Sequence, residues 1–185
     1  MKVRTGSEAL KPSYIAHFVI RTSRFAQTLQ WYKDVLDARE VYHQPGLCFL
    51  TFDEEHHRVA IAEEAGLRDF DETVAGIDHI ALTMKSIVEL ADFYERAKSK
   101  DILPFWCINH GPTTSLYYKD PNGSRIEFQC DQVSYPGGAA AFFESDEFAR
   151  NPLGIEFDPE ALFSRVRNGE APELILARAD SLPRE

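Results

Sequence analysis

Two histidines, His17 and His79, open two stretches that repeat one another, HFVIRTSRFAQTLQWYKDVL and HIALTMKSIVELADFYERAK. The offset of 62 residues that carries His17 to His79 also carries Trp31 to Phe93 and Tyr32 to Tyr94. A lone strand histidine is usually structural. Two at one register of an internal repeat come into one cleft when the copies pair by pseudo-symmetry, and neutral imidazole is the commonest metal ligand. The fourth strands align as RVAIA from Arg58 and RIEFQ from Arg125, which sets Glu127 against Ala60. Glu127 lies between Ile126 and Phe128, where an unpaired carboxylate is costly. It needs a cation, either a metal ion or an arginine such as Arg125. His17, His79 and Glu127 together supply two imidazoles and one carboxylate, the facial set of non-haem iron(II) enzymes that bind oxygen. With Ala60 where a fourth ligand could stand, a catechol can chelate through two oxygens while dioxygen takes a third position.

The elements that must position these residues follow from periodicity. Tyr14 to Arg21 and Gly76 to Thr83 read as buried strands. Phe25, Leu29, Tyr32 and Leu36 recur at helical spacing behind Thr22 or Ser23 as cap, and Ile87, Leu90, Tyr94 and Ala97 do so behind Ser86. Three strands complete each copy: Ala38 to Tyr42, Leu47 to Phe52 and His57 to Ala62 in the first, Leu103 to Ile108, Ser115 to Lys119 and Ser124 to Gln129 in the second. Gln44-Pro45-Gly46 and Asp120-Pro121-Asn122-Gly123 are turns. A four-stranded sheet with one helix cannot cover both its faces, so the two copies are expected to pair their sheets around a shared cleft. The fold class is α+β: two paired βαβββ modules forming an open barrel-like cleft, followed by a C-terminal helical extension. The divisions are a polar leader (1–13), the first module (14–63), a linker (64–75), the second module (76–130) and a tail (131–185), all within one structural domain.

Composition bounds the function. The 185 residues carry a formal charge of −10 and no two adjacent Lys or Arg, which argues against nucleic acid or an anionic membrane as partner. The tail beyond Cys130 holds 11 acids and 5 bases and reads as short amphipathic helices, an extension packed on the two-module core with no legible function beyond a solvated helical cap. It also offers contacts for a homo-oligomer. Cys48, Cys107 and Cys130 are too scattered for a disulfide framework or a zinc site and fit reduced thiols of a cytoplasmic protein. Met1 to Ser13 has no apolar core of a signal peptide, and no apolar run approaches a membrane span.

The repeat with these ligand positions resembles the vicinal oxygen chelate superfamily of glyoxalases, bleomycin-resistance proteins and extradiol ring-cleavage dioxygenases. Within it, Ile108 to Glu127 (INHGPTTSLYYKDPNGSRIE) is similar to the extradiol dioxygenase motif through His110, Leu116-Tyr117, Asp120, Pro121, Gly123 and Glu127. At average residue usage such a match arises by chance roughly once in 10⁴ chains or less often. The resemblance spans Tyr14 to Gln129 and is to the one-domain enzymes that act on 2,3-dihydroxybiphenyl or related catechols. It implies iron(II) on His17, His79 and Glu127, with manganese(II) as the other admissible metal, a catechol-type aromatic and O2 as substrates, and a place in aromatic hydrocarbon catabolism. It further implies that His110 and Tyr117 touch substrate oxygens and that His57 is the acid–base group. Strict strand alternation would instead put His56 on the face of Ala60, and Tyr118 is the alternative to Tyr117. His43 reads as a surface residue. A glyoxalase or epimerase on this fold would want a fourth ligand at Ala60, and a metal-free binding or resistance module would need none of the set.

Overall fold

The structure, a computed structural model, describes residues 11–131 and 137–178. Most of the expected leader, Pro136 of the expected break before the tail, and the last seven residues lie outside them. The chain divides into two compact units, Met1–Leu67 and Arg68–Glu185.

The first unit runs β1 (Phe18–Thr22), α1 (Phe25–Leu36), β2 (Arg39–Gln44), β3 (Leu47–Thr51) and β4 (Val59–Glu63). Its sheet has the order β1-β4-β3-β2, with β1 parallel to β4 and the other pairs antiparallel. Apolar residues alternate faces as the pleat requires. Cys48, Leu50, Val59 and Ile61 are fully buried with Leu29, Tyr32 and Val35 of α1, while Val19 stays about half exposed. Two expectations shift here. β1 begins at Phe18, so Tyr14 to His17 lie before the strand, and β4 begins at Val59, so His57 lies in the loop ahead of it. The cap of α1 is Arg24, whose backbone N–H donates to the Thr22 hydroxyl at 2.8 Å, instead of Thr22 or Ser23 itself.

The second unit repeats the pattern with β5 (His79–Met84), α2 (Ile87–Lys98), β6 (Trp106–Asn109), β7 (Thr113–Lys119) and β8 (Arg125–Asp131). Here Ser86 caps α2 as expected, accepting from the Glu89 N–H at 3.2 Å while the Glu89 carboxylate accepts from Lys85 N–H at 2.9 Å. The Asp120 carboxylate closes the β7–β8 turn by accepting from the N–H groups of Asn122 and Ser124. Phe93 of α2 stacks on Phe128 at 4.0 Å and meets Tyr118 edge-on at 5.5 Å. Replacing Phe93 with alanine is expected to cost about 3–5 kcal/mol, read as a lower midpoint in urea unfolding.

The tail departs most from expectation. It contains α3 (Gly138–Phe143), α4 (Asp146–Arg150), α5 (Pro159–Arg167) and α6 (Pro172–Leu176), but also β9 (Ile155–Glu156). β9 extends the second sheet to the order β5-β8-β7-β6-β9. Two residues are too short to show any period in the sequence. Phe142, Phe163, Ile175 and Leu176 are buried, so the tail is a packed extension, as the sequence suggests, and more than a solvated cap. Its acids are partly committed as well: Glu160 accepts from the Tyr94 hydroxyl and pairs with Lys98, and Glu156 accepts from the Trp106 indole.

Candidate metal centre

In the second unit the sheet register builds the site. β5 and β8 run parallel with Ala81 opposite Glu127, and β7 and β8 run antiparallel with Tyr117 opposite Glu127. The first sheet has Val19 opposite Ala60 at the matching place, so Ala60 and Glu127 occupy equivalent positions. Alternation sends Ile126 and Phe128 to the core and Glu127 to the other face. Glu127 is only 4 % exposed, and His79 Nε2 lies 3.0 Å from its Oε2. Two atoms bound cis to one ion at about 2.1 Å each stand about 3 Å apart, so this pair fits two ligands of a divalent metal. The arginine alternative for Glu127 does not hold, because the Arg125 guanidinium pairs with Glu72 at 2.5 Å and Asp78 at 2.8 Å.

Tyr117 and Tyr118 separate cleanly. Tyr118 is buried against Phe93 and Phe128, whereas Tyr117 sits 5.2 Å ring to ring from His79 and its hydroxyl lies 3.1 Å from His110 Nε2. Burial first, and then the Glu127 carboxylate, push the Tyr117 phenol well above its usual range, so it remains a hydrogen-bond donor. The second unit therefore gathers His79, His110, Tyr117 and Glu127.

In the first unit His17 and His57 lie together, with ring centroids 4.3 Å apart. His57 also stacks on Phe49 at 4.7 Å, which places it on the Ala60 face, since Phe49 pairs with Ala60 in the β3–β4 register. His56 is exposed and reaches His57 through its Nδ1 at 2.6 Å. The alternation argument for His56 fails because neither histidine belongs to β4. Burial, followed by the neighbouring His17 and His56, lowers the His57 pKa from its ordinary value.

Sequence reasoning passed over the residues that hold these histidines. The Asp78 carboxylate accepts from His79 Nδ1–H at 2.8 Å, which directs Nε2 toward Glu127. Arg125, opposite His79 in the register, donates to Asp78 in turn. Such carboxylate–histidine pairs orient metal ligands and raise their basicity. Arg58 plays a comparable part in the first unit. It donates to the carbonyls of Ile15 and Ala16 at 2.9 and 3.1 Å, pairs with Asp53 at 2.9 Å, and so holds the segment that ends in His17. The Asp immediately before His79 was the available signal. Arg58 had none, since its partners near His17 are backbone atoms.

A second group, Glu40, His43 and Cys48, has donor atoms within 4.8 Å of one another. Its chemistry is less suited to a metal. The Lys33 ammonium and His43 both bind Glu40, and burial pushes the Cys48 thiol up to about 11, away from the thiolate a metal takes. His43 is exposed, as expected of a surface residue.

Both groups lie on a sheet framework with known relatives. The family profile described as Glyoxalase/Bleomycin resistance protein/Dioxygenase superfamily matches residues 14–128, and the chain belongs to that superfamily. It is 44% identical over 168 residues to Biphenyl-2,3-diol 1,2-dioxygenase 2 of Rhodococcus globerulus, covering 90% of this chain and 88% of the relative. Biphenyl-2,3-diol 1,2-dioxygenase 3 of the same organism is 38% identical over 173 residues, with 92% and 91% covered. Alignments this long necessarily run into the tail, which the family profile does not reach. Among solved structures, a glyoxylase/bleomycin resistance protein/dioxygenase domain from Frankia sp. EAN1pec shares the fold with a TM-score of 0.57 at 18% identity, covering 68% of this chain and 96% of that one. Lactoylglutathione lyase from Agrobacterium tumefaciens does so with 0.52 at 19% identity, covering 64% and 94%.

Proposed function

We propose that the chain is an extradiol dioxygenase that opens the ring of a catechol-type aromatic such as 2,3-dihydroxybiphenyl with O2. In this reading His17, His79 and Glu127 together hold one iron(II). The observation that carries it is the buried Glu127 carboxylate beside His79 Nε2, in a chain 44% identical to a biphenyl-2,3-diol dioxygenase. Iron(II), when bound, supplies a Lewis acid for the diol oxygens and a path for electrons from catechol to dioxygen.

The chain's own residues do the rest. Asp78 holds His79 in the tautomer that leaves Nε2 for the metal. Ala60, buried and without a donor atom, leaves room for the substrate's two oxygens. The Tyr117 hydroxyl donates to His110 Nε2 and leaves its oxygen to accept from a substrate hydroxyl. His57, packed between His17 and Phe49, is the group that holds a proton near dioxygen and gives it up as the oxygen–oxygen bond breaks.

The three free, buried cysteines suit a reducing cytoplasm, and among the described residues no helix is long and apolar enough to cross a membrane. Phe143, Leu153 and Leu174 remain exposed on the tail, and a homo-oligomer through that face is part of the proposal.

The test is anaerobic loading with iron(II), then oxygen and a panel of catechols, followed by absorbance of the yellow ring-opened product. Product with 2,3-dihydroxybiphenyl is expected, and none with any catechol would overturn the reading. Tyr117→Phe keeps the ring and removes the donor. Its kcat should fall about tenfold or more with iron content unchanged, by steady-state kinetics and metal analysis.

A further inference from the structure

The tail converges on three consecutive residues, Asn109 at the end of β6 and His110 and Gly111 in the turn that follows. His110 Nδ1 lies 2.5 Å from the carbonyl oxygen of Leu153. Arg178, only 1 % exposed, donates to the carbonyls of His110 at 3.4 Å and Asn151 at 3.1 Å, with Phe142 under its guanidinium and Glu147 beside it. The Asn109 side chain donates to the Leu176 carbonyl at 2.8 Å. The Phe142 ring fills the place where a side chain on Gly111 would stand, at 2.2 Å from a Cβ built there. Gly154 presses in the same way on the Asn109 carbonyl, again at 2.2 Å from a built Cβ, with φ at +116°. Asn151 closes the Leu153 loop on both sides, accepting from the Gly154 N–H at 3.0 Å and donating to its carbonyl at 2.8 Å.

A carbonyl oxygen only accepts, so the nitrogen facing Leu153 must carry a proton. In a neutral imidazole that leaves Nε2 with its lone pair, and Nε2 is the atom 3.1 Å from the Tyr117 hydroxyl. From this geometry we propose that the tail is the positioning element of the site: the Leu153 carbonyl, held by Asn151, Gly154 and Arg178, sets His110 as the Nδ1–H tautomer and aims Nε2 at Tyr117 and the substrate. Asn151, Gly154 and Arg178 are positioning residues that act through His110. Burying an arginine is costly unless its donors are satisfied, and Arg178 has its acceptors at this turn. The proposal assigns the tail a role at the site, and its link to turnover rests on the ring-cleavage reading above.

Two measurements separate the two. In the full-length chain labelled with ¹⁵N-histidine and free of paramagnetic metal, NMR assigns the His110 ring by its loss in His110→Gln. The expected spectrum has Nδ1 protonated and Nε2 as the bare nitrogen. An Nε2–H tautomer overturns the proposal whether or not the chain cleaves catechols. Asn151→Ala and Arg178→Met should each mix the tautomers and lower kcat about tenfold, with KM and iron content within about twofold of the parent. Unchanged kcat in a folded variant that has lost the Nδ1–H signal overturns the link to turnover. Should Arg178→Met fail to fold, Asn151→Ala and the parent spectrum still decide.

Discussion

Replacing Glu127 with glutamine is expected to strip iron(II) from the chain while leaving the fold intact. The amide matches the carboxylate in shape. It removes the negative charge and the strongest donor of the set. Glu127 is 4 % exposed, and the other carboxylate of its strand, Asp131, stands four residues on at the exposed end. Altering residues that merely orient a ligand already costs about 10–100-fold in metal affinity or activity, and loss of the ligand itself should exceed that. Metal analysis after gel filtration should find well under one-tenth of the parent's iron, with ring cleavage falling in parallel and an unchanged circular dichroism spectrum. Iron retained at the parent level would remove Glu127 from the ligand set and leave it as a partner of His79 alone.

The second large effect is expected at His57, and with the opposite metal signature. His57→Gln keeps a polar side chain against Phe49 and His17 but cannot take up and release a proton near neutral pH. General acid–base groups contribute typically about 10²–10⁴-fold, so kcat should fall within that range while iron stays bound. Burial and the neighbouring imidazoles already lower the His57 pKa, which favours a ring that is neutral before the reaction. The same substitution at His56, which is exposed and off the Ala60 face, should change kcat less than about threefold. Iron lost from His57→Gln would mean that His57, not His17, is the ligand of the first unit, and rapid turnover in it would end the acid–base assignment. Iron analysis and kcat measured on the same preparation distinguish these outcomes.

The repeat itself was legible because it is written in local terms. Strand alternation, helical spacing and the Asp-Pro-Asn-Gly turn each span a few residues, and an offset of 62 exposes them twice. The opposition of Glu127 to Ala60 followed from aligning the copies, and the two registers place them identically. That Glu127 needs a partner was equally legible, since a carboxylate set between Ile126 and Phe128 is costly without one, and His79 Nε2 stands 3.0 Å from it. Some local readings failed where the chain leaves regular structure. His17 and His57 both precede their strands, so alternation gives no direction for either. Their orientation comes instead from Arg58 and Phe49, which are remote in sequence or bond backbone atoms.

What the sequence by itself determined was the set of donor types and the scaffold that repeats them: two histidines at one register, one buried carboxylate, two βαβββ modules. Only the tertiary structure decided which neighbours hold those donors. Asp78 turns His79, Tyr118 goes to the core while Tyr117 faces Glu127, and the tail from Phe142 to Arg178 closes on His110. The reason is physical. Periodicity reports which face of an element is apolar, a property of each segment alone, whereas a hydrogen bond between a ring nitrogen and a carbonyl 43 residues away belongs to neither segment until both are packed.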